Sequence, residues 1–227
     1  MREDDPHVPH SRLVLVENSY GAKHGYPLPP EYLASIAAVA RRHGLALHMD
    51  GARLFNAAVA QNVDAAALTH HVDSVTFCLS KGLCAPVGSV LCGSADFIYR
   101  ARRARKILGG GMRQAGILAA AGLIALNEMI ERLADDHAHA RLLAEGLARL
   151  PGVRVDVDKV RTNMVFFDLT DDVPLSSETV ADRLRQTAGV WLGTNGPRGF
   201  RAVTHYWIGP KDVAVFLGGL ENVLARA

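Results

Sequence analysis

The sequence predicts an α/β fold built on a mostly parallel β-sheet, and two observations lead to this prediction. Strand-like and helix-like segments alternate through the N-terminal half of the chain, which is the order of a βαβ architecture. The predicted strands are also continuously apolar, as in strands that are covered on both faces. Ligands of such sheets bind at the carboxyl ends of the strands, so polar residues at those ends are candidates for function.

The elements of the first half can be justified in order. Leu13 to Val16 is an apolar run that ends at the polar pair Glu17-Asn18, and a turn region rich in Gly and Pro follows. A helical pattern then stops at Gly44, as is typical of a helix C-terminus. The predicted elements are a helix over 31–43, strands over 45–49, 73–79 and 87–92, a helix that begins after Ala52, and a basic helix over 96–107.

The second half indicates a smaller α+β domain. Three glycines at 109–111 precede a long helical stretch from about Gln114 to Leu150, and Pro151-Gly152 marks its end. Strands over 153–157, 164–169 and 201–205 and helices over 178–187 and from 211 to the end follow. We therefore predict a large domain over residues 1–126 and a small domain over 127–227, with the boundary inside the long helix.

Composition excludes several classes of protein. Of 227 residues, 49% are hydrophobic and 21% charged, and the net charge of +2 is too small to indicate a nucleic-acid or membrane partner. No apolar run reaches the roughly 18 residues of a membrane span, and the N-terminus lacks the apolar core of a signal peptide. The three cysteines fit neither a disulfide framework nor a metal site. We expect a reduced, cytoplasmic protein without a metal ion.

Two residues at predicted strand ends carry the chemistry. Lys81 directly follows an apolar strand; it either extends to solvent or is a desolvated amine able to form a Schiff base. Asp50 ends the preceding strand; it either caps the next helix or pairs with a cation. A carboxylate on one strand and a lysine on a nearby strand are what pyridoxal chemistry requires, because the carboxylate keeps the pyridine nitrogen protonated.

Three long segments make this reading specific. They are LALHMDGARLFNAAVA, DSVTFCLSKGLCAPVGSVL and ARKILGGGMRQAGILAAAGLIAL, in that order. Together they resemble the low-specificity L-threonine aldolase family, fold-type-I (aspartate aminotransferase-like) pyridoxal enzymes of the beta-eliminating lyase superfamily. Residues 200–205 look like the family's final substrate-binding strand, so the resemblance runs from His7 to the C-terminus. It implies that residues 1–126 are the C-terminal part of the large cofactor-binding domain.

The resemblance implies a role for each matching residue around the cofactor ring. Lys81 matches the Schiff-base lysine of pyridoxal 5'-phosphate, and Asp50 matches the carboxylate on the pyridinium nitrogen. Ala52 matches the small residue that lies against one face of the ring. Arg53 and Arg201 match the arginines that hold the substrate α-carboxylate, for which a planar fork of donors is suited; the alternative for both is a surface or ion-pair arginine.

Three further residues match positions at the edge of the family's site. His7 occupies the place of an active-site histidine near the substrate side chain, or is a residue of the N-terminal tail. Lys106 and Arg113 match basic residues that approach the cofactor phosphate or the neighbouring subunit's site. The run Arg100 to Lys106 could also suggest a nucleic-acid patch, but without interleaved aromatic residues a solvated helix face is the better interpretation.

The implied activity is the cleavage of L-threonine, L-allo-threonine and related β-hydroxy-α-amino acids to glycine and an aldehyde, in a homodimer or homotetramer. Family members extend further at the N-terminus, where their phosphate-binding turn lies, so we expect an N-terminally truncated chain. A non-catalytic remnant, a partner-dependent fragment and a related β-eliminating lyase therefore remain alternatives. Cys84 also replaces a common glycine after Ser80-Lys81-Gly82-Leu83, where it restricts the backbone beside the lysine.

Overall fold

The computed structural model describes residues 5–226, which divide into two compact units. The first unit holds the described residues up to Ser19 and the stretch Pro27–Glu131. The second unit holds Tyr20–Tyr26 together with the chain from Arg132 onward. In the described part of the chain, no helix is both long and apolar enough to cross a membrane.

The first unit contains a four-stranded sheet whose first three strands are parallel. Its strands, in spatial and chain order, are β1 (Leu13–Glu17), β2 (Ala46–Asp50), β3 (Ser74–Cys78) and β4 (Ser89–Gly93). Strand β4 is antiparallel to β3, because the short connection between them is less than the dozen or so residues that a parallel crossover needs. The predicted mostly parallel α/β sheet is confirmed, with an antiparallel strand at one edge.

Helices cover one face of this sheet. They are α1 (Pro30–Arg42), α2 (Leu54–Gln61) and α3 (Ala65–Thr69). Side chains alternate along a strand, so the buried Leu47 and Met49 of β2 face these helices, where they share a core with Leu33 and Leu54. The side chains of His48 and Asp50 therefore lie on the opposite face of the sheet.

The opposite face corrects one expectation from the sequence. Leu13 and Leu15 of β1 are 54% and 63% exposed, so the apolar strand β1 is not covered on both faces within the described residues. The two remaining helices of the first unit, α4 (Ala95–Ile107) and α5 (Gly116–Glu128), also bury little. Ser94 caps α4 by accepting a hydrogen bond from the amide of Phe97.

The second unit is an antiparallel sheet with three helices. Its sheet order is β5-β6-β8-β7, and its core includes Phe167 and Phe200, whose rings stack with centroids 4.8 Å apart. This confirms the predicted α+β character of the C-terminal part. Its elements are α6 (Leu133–Leu147), β5 (Val153–Val155), β6 (Met164–Leu169), α7 (Ser177–Ala188), β7 (Gly193–Thr194), β8 (Gly199–Val203) and α8 (Pro210–Leu224).

The prediction of one long helical stretch over 114–150 is wrong, because the chain turns between α5 and α6 and forms two helices. Asp135 and Asp136 stand in the first turn of α6, where carboxylates favour a helix N-terminus. The two units divide in this turn, after Glu131. The boundary predicted between residues 126 and 127 falls within α5.

Residues Tyr20–Tyr26 belong to the second unit although they follow β1 in the sequence. Thr162 Oγ1 donates a hydrogen bond of 3.0 Å to the carbonyl oxygen of Gly25. Gly25 has a φ of +59°, and a Cβ atom there would lie 2.7 Å from Thr162 Oγ1. Only glycine combines this backbone conformation with such a close approach.

Candidate functional site

Asp50 lies at the carboxyl end of β2, between two neighbouring strand ends. The register pairs it with Glu17 of β1 and with Thr76 of β3. Its Oδ1 atom accepts a 3.0 Å hydrogen bond from the backbone N–H of Ala52, so the carboxylate also caps the chain that leads into α2. The side chain is half-buried. A carboxylate held in this way has a fixed direction and remains within reach of solvent or a ligand.

The described structure adds a residue that the sequence analysis missed on the same sheet face. His48 Nδ1 lies 2.8 Å from Ser74 Oγ, and its Nε2 lies 3.0 Å from Thr76 Oγ1. His48 precedes Asp50 by two residues, so the period-2 alternation of a strand could have placed both on one face. The hydrogen bonds fix the imidazole ring and orient the Thr76 hydroxyl beside the Asp50 strand end.

Lys81 lies in the turn that joins β3 to β4, three residues after the end of β3. The side chain is exposed, so the expected desolvated amine is not what the described residues show. The reason is local: β3 stops at Cys78, earlier than the strand predicted over 73–79, and the chain then turns. Because β2 and β3 are parallel, Asp50 at the end of β2 and Lys81 after the end of β3 nevertheless lie at the same, carboxyl-terminal end of these strands.

The turn around Lys81 is tied together by its own backbone. The N–H of Cys84 donates to the carbonyl oxygen of Lys81 at 2.9 Å, and the N–H of Ala85 donates to that of Leu79 at 3.0 Å. Cys84 has a φ of +61°, a left-handed conformation that favours glycine. Cys84 thus adopts the conformation for which the glycine common in the family at this position is suited.

Ala52 and Arg53 follow Asp50 directly and are both half-buried. Arg53 is the residue that precedes α2, and its carbonyl oxygen accepts a hydrogen bond from the N–H of Ala57. Together with Asp50 and Lys81, they lie at the carboxyl ends of strands β2 and β3 of the first sheet. Four of the eight predicted site residues are thus found at the same end of these strands.

The other residues predicted for the first unit lie on exposed segments. His7 precedes β1, and its Nδ1 atom lies 2.9 Å from Asp5 Oδ1. Lys106 is in the last turn of α4, and Arg113 lies between α4 and α5. All three side chains are exposed, so their roles at a site stay predictions.

Arg201 lies in the second unit, on β8 between β6 and β7. The register pairs it with Phe166 and Gly193. Its Nη1 atom donates a long hydrogen bond of 3.5 Å to the carbonyl oxygen of Gly21. Arg201 therefore projects on the sheet face on which Tyr20–Tyr26 lies, opposite to the face that packs on the helices of this unit.

The strand-end residues fit the chemistry of pyridoxal phosphate. Lys81 supplies an accessible primary amine for the aldehyde, Asp50 a fixed carboxylate for the ring nitrogen, and Ala52 a small side chain next to it. Lys106 and Arg113 are cations that suit a phosphate. Within residues 5–226, no group of three or more His, Cys, Asp or Glu side chains is arranged to hold a metal ion.

Comparison with protein families gives a match over most of the chain. The model of a family described as beta-eliminating lyase matches residues 1–170. The low-specificity L-threonine aldolase 1 of Arabidopsis thaliana is 46% identical over 216 residues, which are 95% of this chain and 60% of that protein. The low specificity L-threonine aldolase of Escherichia coli O157:H7 is 48% identical over 166 residues, or 73% of this chain and 48% of that protein. This chain spans about 60% of the length of the Arabidopsis relatives.

Solved structures show the same fold at low sequence identity. A threonine aldolase from Leishmania major superposes with a TM-score of 0.80 at 22% identity, over 97% of this chain and 64% of that one. A PLP-dependent aminotransferase from Streptococcus suis superposes with a TM-score of 0.73 at 16% identity, over 95% of this chain and 57% of that one. The fold is therefore that of the fold-type-I pyridoxal enzymes.

Proposed function

The chain belongs to the beta-eliminating lyase family, and on that premise we propose that the protein is a pyridoxal-phosphate-dependent carbon–carbon lyase. Its substrates are L-threonine, L-allo-threonine and related β-hydroxy-α-amino acids, and its products are glycine and an aldehyde such as acetaldehyde. The observation that carries this proposal is that Asp50 ends β2 and Lys81 follows the end of β3, at the carboxyl ends of two parallel strands. The names of the two relatives, both threonine aldolases, support the choice of reaction.

Pyridoxal phosphate, when bound, supplies an aldehyde for amines and a protonated ring that accepts the electron pair of a breaking bond. Lys81 would hold the cofactor through its Nζ atom, a primary amine that suits an aldehyde. Asp50 would hold the proton on the ring nitrogen, and the N–H of Ala52 on Asp50 Oδ1 keeps that carboxylate oriented. Lys106 and Arg113 supply positive charge for the phosphate.

The arginines and a base act on the substrate itself. Arg53 and Arg201 bind the α-carboxylate and so orient the Cα–Cβ bond for cleavage. A base would take the proton of the β-hydroxyl, so that the β-carbon can leave as the aldehyde while the bound ring accepts the electron pair of the Cα–Cβ bond. A proton returned to the α-carbon would complete glycine. His7 is a candidate for this base, because the family resemblance implies that it lies near the substrate side chain.

Covalent labelling tests the proposal without relying on turnover. The protein is mixed with pyridoxal phosphate, reduced with borohydride and mapped by peptide mass spectrometry. We expect the adduct on Lys81, together with a visible absorbance band that Lys81→Ala abolishes. Lys211→Ala, a change on α8 in the second unit, is the matched control and should keep both signals.

Substrate turnover is measured next, as glycine and acetaldehyde formed from L-threonine. An adduct on Lys81 without glycine would keep the cofactor and reject the aldolase reaction, in favour of another β-eliminating lyase activity. A folded protein without an adduct would contradict the proposal and favour a non-catalytic or partner-dependent chain. We also propose a cytoplasmic homo-oligomer, as the family resemblance implies; light scattering of the cofactor-loaded protein measures the assembly.

A further inference from the structure

The carboxyl end of β8 is held by a cluster of buried hydrogen bonds. Thr204, the residue after β8, is 1% exposed. Its N–H donates to the carbonyl oxygen of Asn163 at 3.0 Å, and Asn163 Nδ2 donates back to the carbonyl oxygen of Thr204 at 2.8 Å. The Thr204 hydroxyl donates to the carbonyl oxygen of Asp136 at 2.6 Å. This last bond ties the strand end to the first turn of α6.

That first turn contains a buried ion pair. The carboxylate of Asp136 is fully buried and pairs with the guanidinium of Arg132, whose side chain is 17% exposed. Burial raises the pKa of the Asp136 carboxyl, and the hydrogen bond from Arg132 opposes this rise. The Arg132 guanidinium also lies over the ring of Tyr206, 5.0 Å from its centroid. The pair thus contacts the chain on both sides of His205.

A buried ion pair of this kind contributes little to the free energy of unfolding. Moving two charges out of water has a desolvation cost that can exceed the free energy gained from their attraction. Replacing a buried ion pair by well-packed apolar residues therefore often leaves the stability of a protein unchanged or increases it. Asp136 Oδ2 and Arg132 Nη1 are also buried without a hydrogen-bond partner in the described structure. The residues of the pair also join this turn of α6 to the end of β8, through the hydrogen bond from the Thr204 hydroxyl to the Asp136 carbonyl oxygen and the contact of Arg132 with the Tyr206 ring.

We propose that Arg132 and Asp136 are positioning residues that hold the end of β8, and with it Arg201, in a fixed place. Arg201 lies three residues before Thr204, and a shift of the strand end moves the guanidinium. The inference rests on the proposed function in one respect, namely that Arg201 binds the substrate carboxylate. The pair itself touches no reacting atom.

The test uses two variants and one matched control in the cofactor-loaded protein. Asp136→Asn removes the charge and keeps the shape, and Thr204→Val removes the hydroxyl that links β8 to α6 without disturbing the ion pair. Glu145→Gln is the control, because Arg141 and Glu145 form an exposed pair with the same spacing on the same helix, at 2.9 Å. Amide hydrogen exchange of peptides covering 199–207 is measured with KM and kcat for L-threonine.

We expect exchange over 199–207 to accelerate about ten-fold in both variants, because Thr204→Val loses one buried hydrogen bond and Asp136→Asn leaves the buried Arg132 charge without a carboxylate. KM should rise about ten-fold, because the carboxylate contact is made in substrate and transition state alike, and kcat should fall as well, because Arg201 also orients the Cα–Cβ bond. The control should match the wild type in all three quantities.

Two results would overturn the inference. One is unchanged exchange over 199–207 in both variants. The other is a loss of kcat in proportion to the folded fraction with unchanged KM, which a merely structural role gives. If the wild-type protein cleaves no β-hydroxy amino acid, the proposed function fails, and the exchange measurement alone decides whether the pair fixes the Arg201 strand.

Discussion

The two units differ in how completely their sheets are covered. In the second unit, three helices pack on one face of the sheet, and Tyr20–Tyr26 lies on the other. In the first unit, helices pack on one face, while Leu13 and Leu15 on the other are more than half exposed. The candidate strand-end residues lie in this less covered unit. The described residues of the second unit therefore cover their sheet on both sides, whereas the residues predicted to hold the cofactor lie in the unit whose sheet is covered on one side.

The largest expected effect comes from the core of the second unit. Phe200 is fully buried and stacks on Phe167, so Phe200→Ala should lower the free energy of unfolding by about 3–5 kcal/mol. Leu15→Ala is the matched truncation on the exposed face and should change it by less than about 0.5 kcal/mol. Urea unfolding followed by circular dichroism measures both. An equal loss for Leu15→Ala would show that this face is covered in solution.

The second expected effect is a loss of stability at low pH in the second unit. Burial lowers the pKa of His137, on α6, to about 4 from its ordinary 6.5. The neutral ring is therefore favoured in the folded protein, and its stabilisation is complete above pH 6.5 and lost as the pH falls towards 4. The loss should approach roughly 3 kcal/mol and appear as faster hydrogen exchange in the second unit.

The matched pair for this prediction is His137→Gln and His43→Gln. His137→Gln should remove most of the slope of unfolding free energy against pH between 4 and 6.5. His43 is exposed at the end of α1, so His43→Gln should leave the slope intact. A slope that survives His137→Gln would assign the acid sensitivity to other groups.

The smallest effect concerns the turn of the candidate site. Cys84→Gly relieves a left-handed backbone at a cost in unfolded-state entropy, so we expect a net stabilisation of about 0.5 kcal/mol. Cys92→Gly, within β4, lacks that benefit and should destabilise by about 0.5–1 kcal/mol. Thermal unfolding of the two variants compares them, and shifts of the same sign would contradict the reasoning.

Much of the fold could be predicted from the sequence, because apolar runs and glycine stops are local signals. Strand β6 occurs at the predicted residues. Helix α1 begins and ends one residue before its predicted bounds, and α8 begins one residue early and ends a few residues before its predicted end. The placement of Asp50 at a strand end could also be predicted, since a single polar residue ends an apolar run. Strand β7 was missed because its two residues, Gly193 and Thr194, carry no pattern.

What could not be predicted depends on contacts between distant residues. The exposure of Lys81 depends on where β3 stops, and the apolar pattern continues past that residue to Leu79. The ion pair of Arg132 and Asp136 has an ordinary helical spacing in the sequence, and its burial arises only when β8 packs against α6. The helix break before α6 was obscured by the apolar composition of α5.

The assignment of Tyr20–Tyr26 to the second unit has a consequence for handling these units as modules. The chain passes from one unit to the other three times, and the hydrogen bond between Thr162 and Gly25 spans 137 positions. A gene fragment that starts at Arg132 would lack the strip of chain that lies against Met164 and Phe166. Transplanting this unit, or swapping it between relatives, therefore requires two cut segments joined by a new linker, and a single cut point does not suffice.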